Sequence, residues 1–253
     1  MIVEGSDLWA CAQIVEKGDP ERFRAAMASA VEARARLFPL YAFNVEVARA
    51  PWVTVEPMIA EMRLQWWRDA LEEIGAGGEV RRHEVVTPLA GVLDAEGVRL
   101  LDALIEARRA DIEKAPFEDA DALWVYLEAT GGGLMQVAAR VLGDADGRRA
   151  RALGTAYGLA SYLLAVPDLV ARGKLPLPDG RPRAVEALAR RGLDLLDQAR
   201  GYPKAPKAAV LPGALALLVL RRAVQDPERV ADGALMPSEA MLRFARLKAA
   251  VFG

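Results

Sequence analysis

Histidine and cysteine are almost missing from this chain. His83 is the one histidine and Cys11 the one cysteine in 253 residues. A single thiol allows no internal disulfide, a usage compatible with a reducing compartment. A zinc site and a Ser-His-Asp triad are both poor candidates where imidazoles and thiols are so few. A thiol nucleophile usually needs a histidine partner, and His83 falls in the polar turn GGEVRRHEVV. Cys11 therefore reads as a small buried apolar group and His83 as an exposed loop residue. Lysine is scarce as well, limited to Lys17, Lys114, Lys174, Lys204, Lys207 and Lys248, so most cations are arginines.

Strong net charge is missing too. At -2 there is no global field to gather nucleic acid or an anionic membrane. The longest apolar runs, Val210–Leu220 and Gly158–Pro167, are well short of the ~20 residues of a spanning helix, and both carry proline. No transmembrane segment is expected. The opening MIVEGSDLW has acids where a secretory leader would be basic. β-branched alternation is rare, which argues against strands. What remains is 53% hydrophobic and 27% charged, enough apolar material for a sizeable core.

Helical periodicity fills the chain. Asp7–Lys17 begins at an Asp cap and stops at Gly18. Pro20 starts a second helix, PERFRAAMASAVEARARLF, where proline is tolerated. Phe38–Ala48 continues it, with Pro39 in a first turn and Pro51 as the break. Thr54 is expected to cap the next helix, with Glu56 and Pro57 in its first turn. There Ile59, Met62, Trp66, Ala70 and Ile74 form an inward stripe, widened by Trp67 and Leu71. Trp67 lies one step off that stripe and would face a cavity or a partner. Gly75, Gly77 and Gly78 end the helix.

Short and long helices follow around Pro88–Leu93 and over Gly97–Lys114, the latter with Leu101, Leu104, Ile105 and Ile112 inward. Asp119 or Asp121 starts a helix to Leu142 that contains Gly131-Gly132-Gly133. Three glycines there cost about 1 kcal/mol each against alanine. They imply close approach of another helix or a ligand, or a kink. Arg148–Arg172 carries Pro167, which is expected to bend it. Helices over Val185–Arg200, Ala208–Gln225 and, capped by Ser238, Glu239–Phe252 complete one all-α domain spanning 1–253, a bundle of about ten helices.

Acids at helical spacing are the candidates for chemistry, because neighbours on one helix face can share a metal. Asp69, Glu72 and Glu73 form one set, Asp102 and Glu106 a second, Asp194 and Asp197 a third. Each has arginine close by: Arg68, then Arg108 and Arg109, then Arg200. A solvated helix face explains all three more simply.

Several segments, in order, resemble the squalene/phytoene synthase family of all-α, head-to-head isoprenoid synthases. Leu40-Tyr41-Ala42-Phe43 resembles the opening of its first aspartate-rich helix. Arg108–Glu128 is similar to the approach to its central helix, and TGGGL at Thr130–Leu134 to its small-residue kink. Gly158–Pro178, GLASYLLAVPDLVARGKLPLP, resembles its second aspartate-rich helix and the loop after it. The resemblance implies an isoprenoid-synthase-like bundle around a central cavity. In active members, acids on those two helices hold magnesium, which neutralises the prenyl diphosphates as they ionise.

This chain departs there. Ala48, Arg49 and Trp52 stand where the resemblance implies acids, leaving Glu46 alone on the first helix. Asp168 is alone on the second, after Ser161-Tyr162-Leu163-Leu164-Ala165. Arg49 either replaces a magnesium charge or fills its space. The run Phe43-Asn44-Val45-Glu46, with Met62-Arg63-Leu64-Gln65-Trp66-Trp67-Arg68-Asp69, resembles an acid-poor branch of the family whose mitochondrial member helps assemble respiratory complex I.

That branch implies a non-catalytic helper with no cofactor, working with complex I subunits or assembly intermediates, cytoplasmic or peripheral at the inner membrane. Its cavity, lined by Tyr41, Glu46, Arg49, Arg63, Trp67, Tyr162, Asp168, Arg172 and Lys174, would take a lipid or prenyl ligand. The alternative is an active magnesium-dependent prenyl transferase drawing on Glu46, Asp69, Glu72 and Asp168. A third reading is a helical protein that only looks like the family and has some other binding role.

Overall fold

In a computed structural model, residues 3–252 are described, and all regular structure among them is helical. The chain forms two compact units, one from residues 1–112 and 137–145, the other from 113–136 and 146–253.

The first unit begins with α1 (Asp7–Gly18), α2 (Pro20–Met27) and α3 (Val31–Arg49). Ser6, not Asp7, caps α1: its side chain accepts the Trp9 N–H, leaving Asp7 as the acid of the first turn. The continuous helix expected from Pro20 stops at Met27, and α3 starts afresh at Val31. Ser29 marks the break, its hydroxyl turned back onto the Ala25 carbonyl at 2.9 Å. Pro39 thus lies inside α3 rather than in a first turn. Leu37, Phe38, Leu40, Tyr41 and Phe43 of α3 are at most 1% exposed and form the middle of this unit.

Next come α4 (Pro57–Ala76), α5 (Val86–Ala90) and α6 (Ala95–Arg108). Glu56, not Thr54, occupies the cap position of α4; the Thr54 hydroxyl accepts the Glu56 N–H at 3.1 Å. Gly77 ends α4 in the left-handed conformation, φ 69°, which costs glycine little. Asp94 caps α6 through the Gly97 N–H and also binds Arg140 at 2.7 Å. Leu101, Leu104 and Ile105 are fully buried, as their spacing predicts, whereas Ile112 is only half-buried.

The inward stripe of α4 differs from expectation. Ala60, Leu64, Trp67, Ala70, Leu71 and Ile74 are buried, while Ile59 and Met62 are exposed and Trp66 is half-buried. The apolar residues at 58, 59 and 62 mimic an inward periodicity, but the tertiary partner meets the helix about one residue further round.

In the second unit, Asp119 caps α7 (Ala120–Leu127), which passes through a π-turn at Glu128–Gly132 into α8 (Gly133–Val141), of which residues 137–141 are counted with the first unit. α9 (Arg148–Ala171) crosses that turn, and Pro167 lies within it. A Cβ on Gly131 would sit 2.6 Å from the Gly154 carbonyl oxygen and 2.9 Å from the Gly158 Cα. Gly131 is therefore there because the backbone of a second helix needs the space, and the expected irregularity is the π-turn. α10 (Pro182–Gln198), α11 (Lys207–Val210), α12 (Ala214–Gln225) and α13 (Glu239–Phe252) complete the unit. Leu123, Leu159, Leu163, Val219 and Leu220 are fully buried in its core.

By length and composition two segments, Arg148–Ala171 and Lys207–Gln225, are apolar enough to cross a membrane. Uninterrupted apolar runs are shorter than these segments because a helix also carries occasional polar residues, and a buried core helix meets the same criterion. Half of the first segment's apolar window is buried inside the protein.

Candidate functional site

The aromatic centre of the first unit is built by α3 and α4. Phe43 meets Trp67 edge-on at 5.3 Å, and Trp67 meets Trp66 at 4.9 Å. His83 closes the group at 5.1 Å from Trp66 and 5.6 Å from Trp67. Its Nδ1 accepts the Val85 N–H at 3.1 Å. His83 is thus a half-buried partner of both tryptophans rather than the exposed loop residue expected. The loop is pinned by Arg81, which stacks over Trp66 at 4.8 Å and binds the Glu73 carboxylate at 2.6 Å. That guanidinium holds the Glu73 carboxyl down at about 2.

Beside this group lies a cleft of about 600 Å³ lined by Lys17, Glu46, Arg49, His83 and Glu84, together with Gln13, Ile14, Gly18 and Val45. Glu46 and Arg49, one turn apart on α3, are paired at 3.0 Å. The carboxylate expected to be available is therefore bound to the cation three residues on. Cys11 nearby is buried, its thiol donating to the Glu84 carbonyl at 3.3 Å. Burial first, then Asp7 and Glu84, push that thiol up to about 12, so it is not a thiolate nucleophile at neutral pH.

The other expected residues of this unit do not line the cleft. Tyr41 is 1% exposed beneath the Arg22 guanidinium, 5.7 Å from its ring centre. Arg63 is on the exposed face of α4. In the second unit Tyr162 is buried against Tyr126 at 6.0 Å and Phe117 at 6.4 Å, and its hydroxyl donates to the Pro176 carbonyl at 2.7 Å. It ties down the loop after α9, which also gains a bond from the Leu175 N–H to the Lys114 carbonyl at 3.1 Å. Lys174 in that loop is 4% exposed, while Asp168 and Arg172 are exposed.

The acid sets settle as solvated faces. Arg68 of α4 reaches across to α6, binding Asp102 at 2.7 Å and Glu106 at 3.2 Å, and Arg109 holds both Glu106 and Glu61. Asp69 accepts from Gln65 at 2.7 Å, and Asp197 leans on Arg200 at 3.4 Å. Among the described residues, no three His, Cys, Asp or Glu side chains group as a metal cage.

Sequence reasoning did not find Lys17, Gln13, His83 or Glu84 for the cleft. Only Glu46 and Arg49, at helical spacing, carried a local signal. The cleft can hold a small polar group between cations and carboxylates.

A family model described as squalene/phytoene synthase matches residues 15–181. The complex I assembly factor 6 homologue of Drosophila melanogaster is 31% identical over 175 residues, covering 66% of this chain and 52% of that protein. Human NADH dehydrogenase (ubiquinone) complex I, assembly factor 6 is 26% identical over 183 residues, again with 66% and 52% covered. The chain spans about half the length of these curated relatives. A dehydrosqualene synthase crystallised with ligand superposes with a TM-score of 0.72 at 15% identity, over 96% of this chain and 94% of that one. The squalene synthase HpnC of Alicyclobacillus acidocaldarius gives 0.63 at 16% identity, over 96% and 90%. These likenesses establish the isoprenoid synthase fold.

Proposed function

The chain belongs to the squalene/phytoene synthase family, and from that premise we propose that it is a non-catalytic member that assists assembly of respiratory complex I. The carrying observation is the Glu46–Arg49 pair at 3.0 Å. On the last turns of α3, where the family resemblance implies carboxylates for magnesium, the one acid, Glu46, is held by a guanidinium. Ala48 and Trp52 offer the metal no oxygen.

One carboxylate can ligate a magnesium ion weakly beside phosphate oxygens, but it does not assemble a cluster of ions that holds two diphosphates. The residues at the end of α3 do not fit such a site. Two relatives named as complex I assembly factors support the same reading, at 31% and 26% identity. The proposed partners are complex I subunits or assembly intermediates, met in the cytoplasm or at the inner membrane surface.

The test is incubation of the purified chain with farnesyl or geranylgeranyl diphosphate and magnesium. Diphosphate release should equal the no-protein background. Release well above it would establish the prenyl transferase alternative, with Glu46, Asp69, Glu72 and Asp168 as the acids to mutate first.

A further inference from the structure

α12 has the sequence ALALLVLRRAVQ, apolar on nearly every side. Such a helix is expected to be buried all round or to lie in lipid. One face meets that expectation: Leu215, Ala216, Val219, Leu220 and Ala223 are buried in the second unit. The opposite face, Ala214, Leu217 and Leu218, is only half-covered, and only 39% of the apolar window containing it is buried.

That face floors a groove of about 460 Å³, walled by Leu153 of α9, Leu196 of α10, and Met241 and Phe244 of α13. The volume is near the lower end of ligand sites, room for one chain rather than two. Phe244 is 69% exposed at its mouth.

Its charge is one-sided. Among the described residues, Arg149, Arg200 and Arg221 line it and no acid does. Arg149 makes a long bond of 3.4 Å to the Tyr202 carbonyl, and Arg200 a 3.4 Å contact to Asp197. Arg221 is exposed and has no partner among the described residues. Most of their donors are open to an oxyanion, which guanidinium forks match well.

We propose that the groove between α9, α10, α12 and α13 binds one long-chain acidic amphiphile, its chain on Leu217 and Leu218 and its acid group on Arg149, Arg200 and Arg221. None of these residues belongs to the Glu46 cleft, so this site stands or falls separately from the assembly role.

The test uses dansylaminoundecanoic acid as a fluorescent probe on the full chain, displaced by palmitate, hexadecanol or hexadecyltrimethylammonium below their aggregation concentrations. We expect saturable binding of one probe per chain, displacement by palmitate, and none by the cation. The exposed double variant Arg200→Glu/Arg221→Glu should weaken palmitate about tenfold or more. Leu217→Trp should block the groove with the charges intact, and far-UV circular dichroism checks that both variants fold. Unchanged palmitate affinity in the charge-reversed variant would overturn the proposal. So would equal binding of the cation, or failure to bind the monomeric probe. Binding to phosphatidylglycerol vesicles without binding the probe would also overturn it, marking a membrane-docking face. A dimer by light scattering that does not take up the probe would overturn it in favour of a second copy.

Discussion

Replacing Gly131 with alanine should destabilise the second unit, although alanine is the better helix former. The gain in propensity is about 1 kcal/mol at most. Against it, the new methyl would stand 2.6 Å from the Gly154 carbonyl oxygen and 2.9 Å from the Gly158 Cα. Both are backbone atoms of α9, so no side chain can rotate away and the helix itself must move. Overpacking of this kind costs about 1–3 kcal/mol, and a backbone collision belongs at the upper end. We expect a net loss of about 2 kcal/mol, a melting temperature about 4–8 °C lower.

Gly75, inside α4, is the control. A Cβ there meets only Val98 Cγ1, at 3.5 Å, an ordinary contact. Gly75→Ala should therefore stabilise, by about 0.5–1 kcal/mol. Thermal and urea melts followed by far-UV circular dichroism read both variants. The reasoning is refuted if Gly131→Ala is as stable as the parent, or if the two substitutions shift stability in the same direction.

Other substitutions separate core from surface. Trp67→Ala should cost about 3–5 kcal/mol, because Trp67 is 6% exposed and packs on Phe43. Trp66→Ala should cost about 1–2 kcal/mol, since a half-buried ring has less area to lose. Denaturant titrations giving equal losses would restore the stripe first expected. Arg68→Ala removes bonds to Asp102 and Glu106 on an exposed face and should cost less than about 1 kcal/mol, shrinking as salt is added. The Glu73 carboxyl is lowered to about 2 by Arg81, so its contribution is present above the ordinary carboxylate range and lost as pH falls through about 2. The midpoint difference between parent and Glu73→Gln should thus be constant near neutrality and shrink in acid; a difference that widens in acid would refute the sign.

Signals carried within one turn of helix were legible in the sequence. Asp119, one of two candidates beside Asp121, caps α7, Ser238 caps α13, and the triple glycine marked a place of close crossing or irregular helix, where the structure has both a backbone crossing and a π-turn. The break after Met27 was not legible, since Ala28-Ser29-Ala30 contains nothing that forbids a helix. The α4 stripe was misplaced because Met58, Ile59 and Met62 are apolar yet exposed. Periodicity records which residues are apolar, not which are covered. The cleft shows the same division: Glu46 and Arg49 are neighbours on one helix, whereas Lys17 and His83 reach it from α1 and a distant loop. His83 was misread because its value lies in two tryptophans that precede it on another element.

The assembly role is tested most directly by deleting the gene and resolving membranes on native gels stained for NADH dehydrogenase activity. Fully assembled complex I should fall, with squalene and carotenoid content unchanged, and the wild-type gene should restore it. Normal complex I together with a loss of those isoprenoids would contradict the proposed role and identify the chain as a synthase.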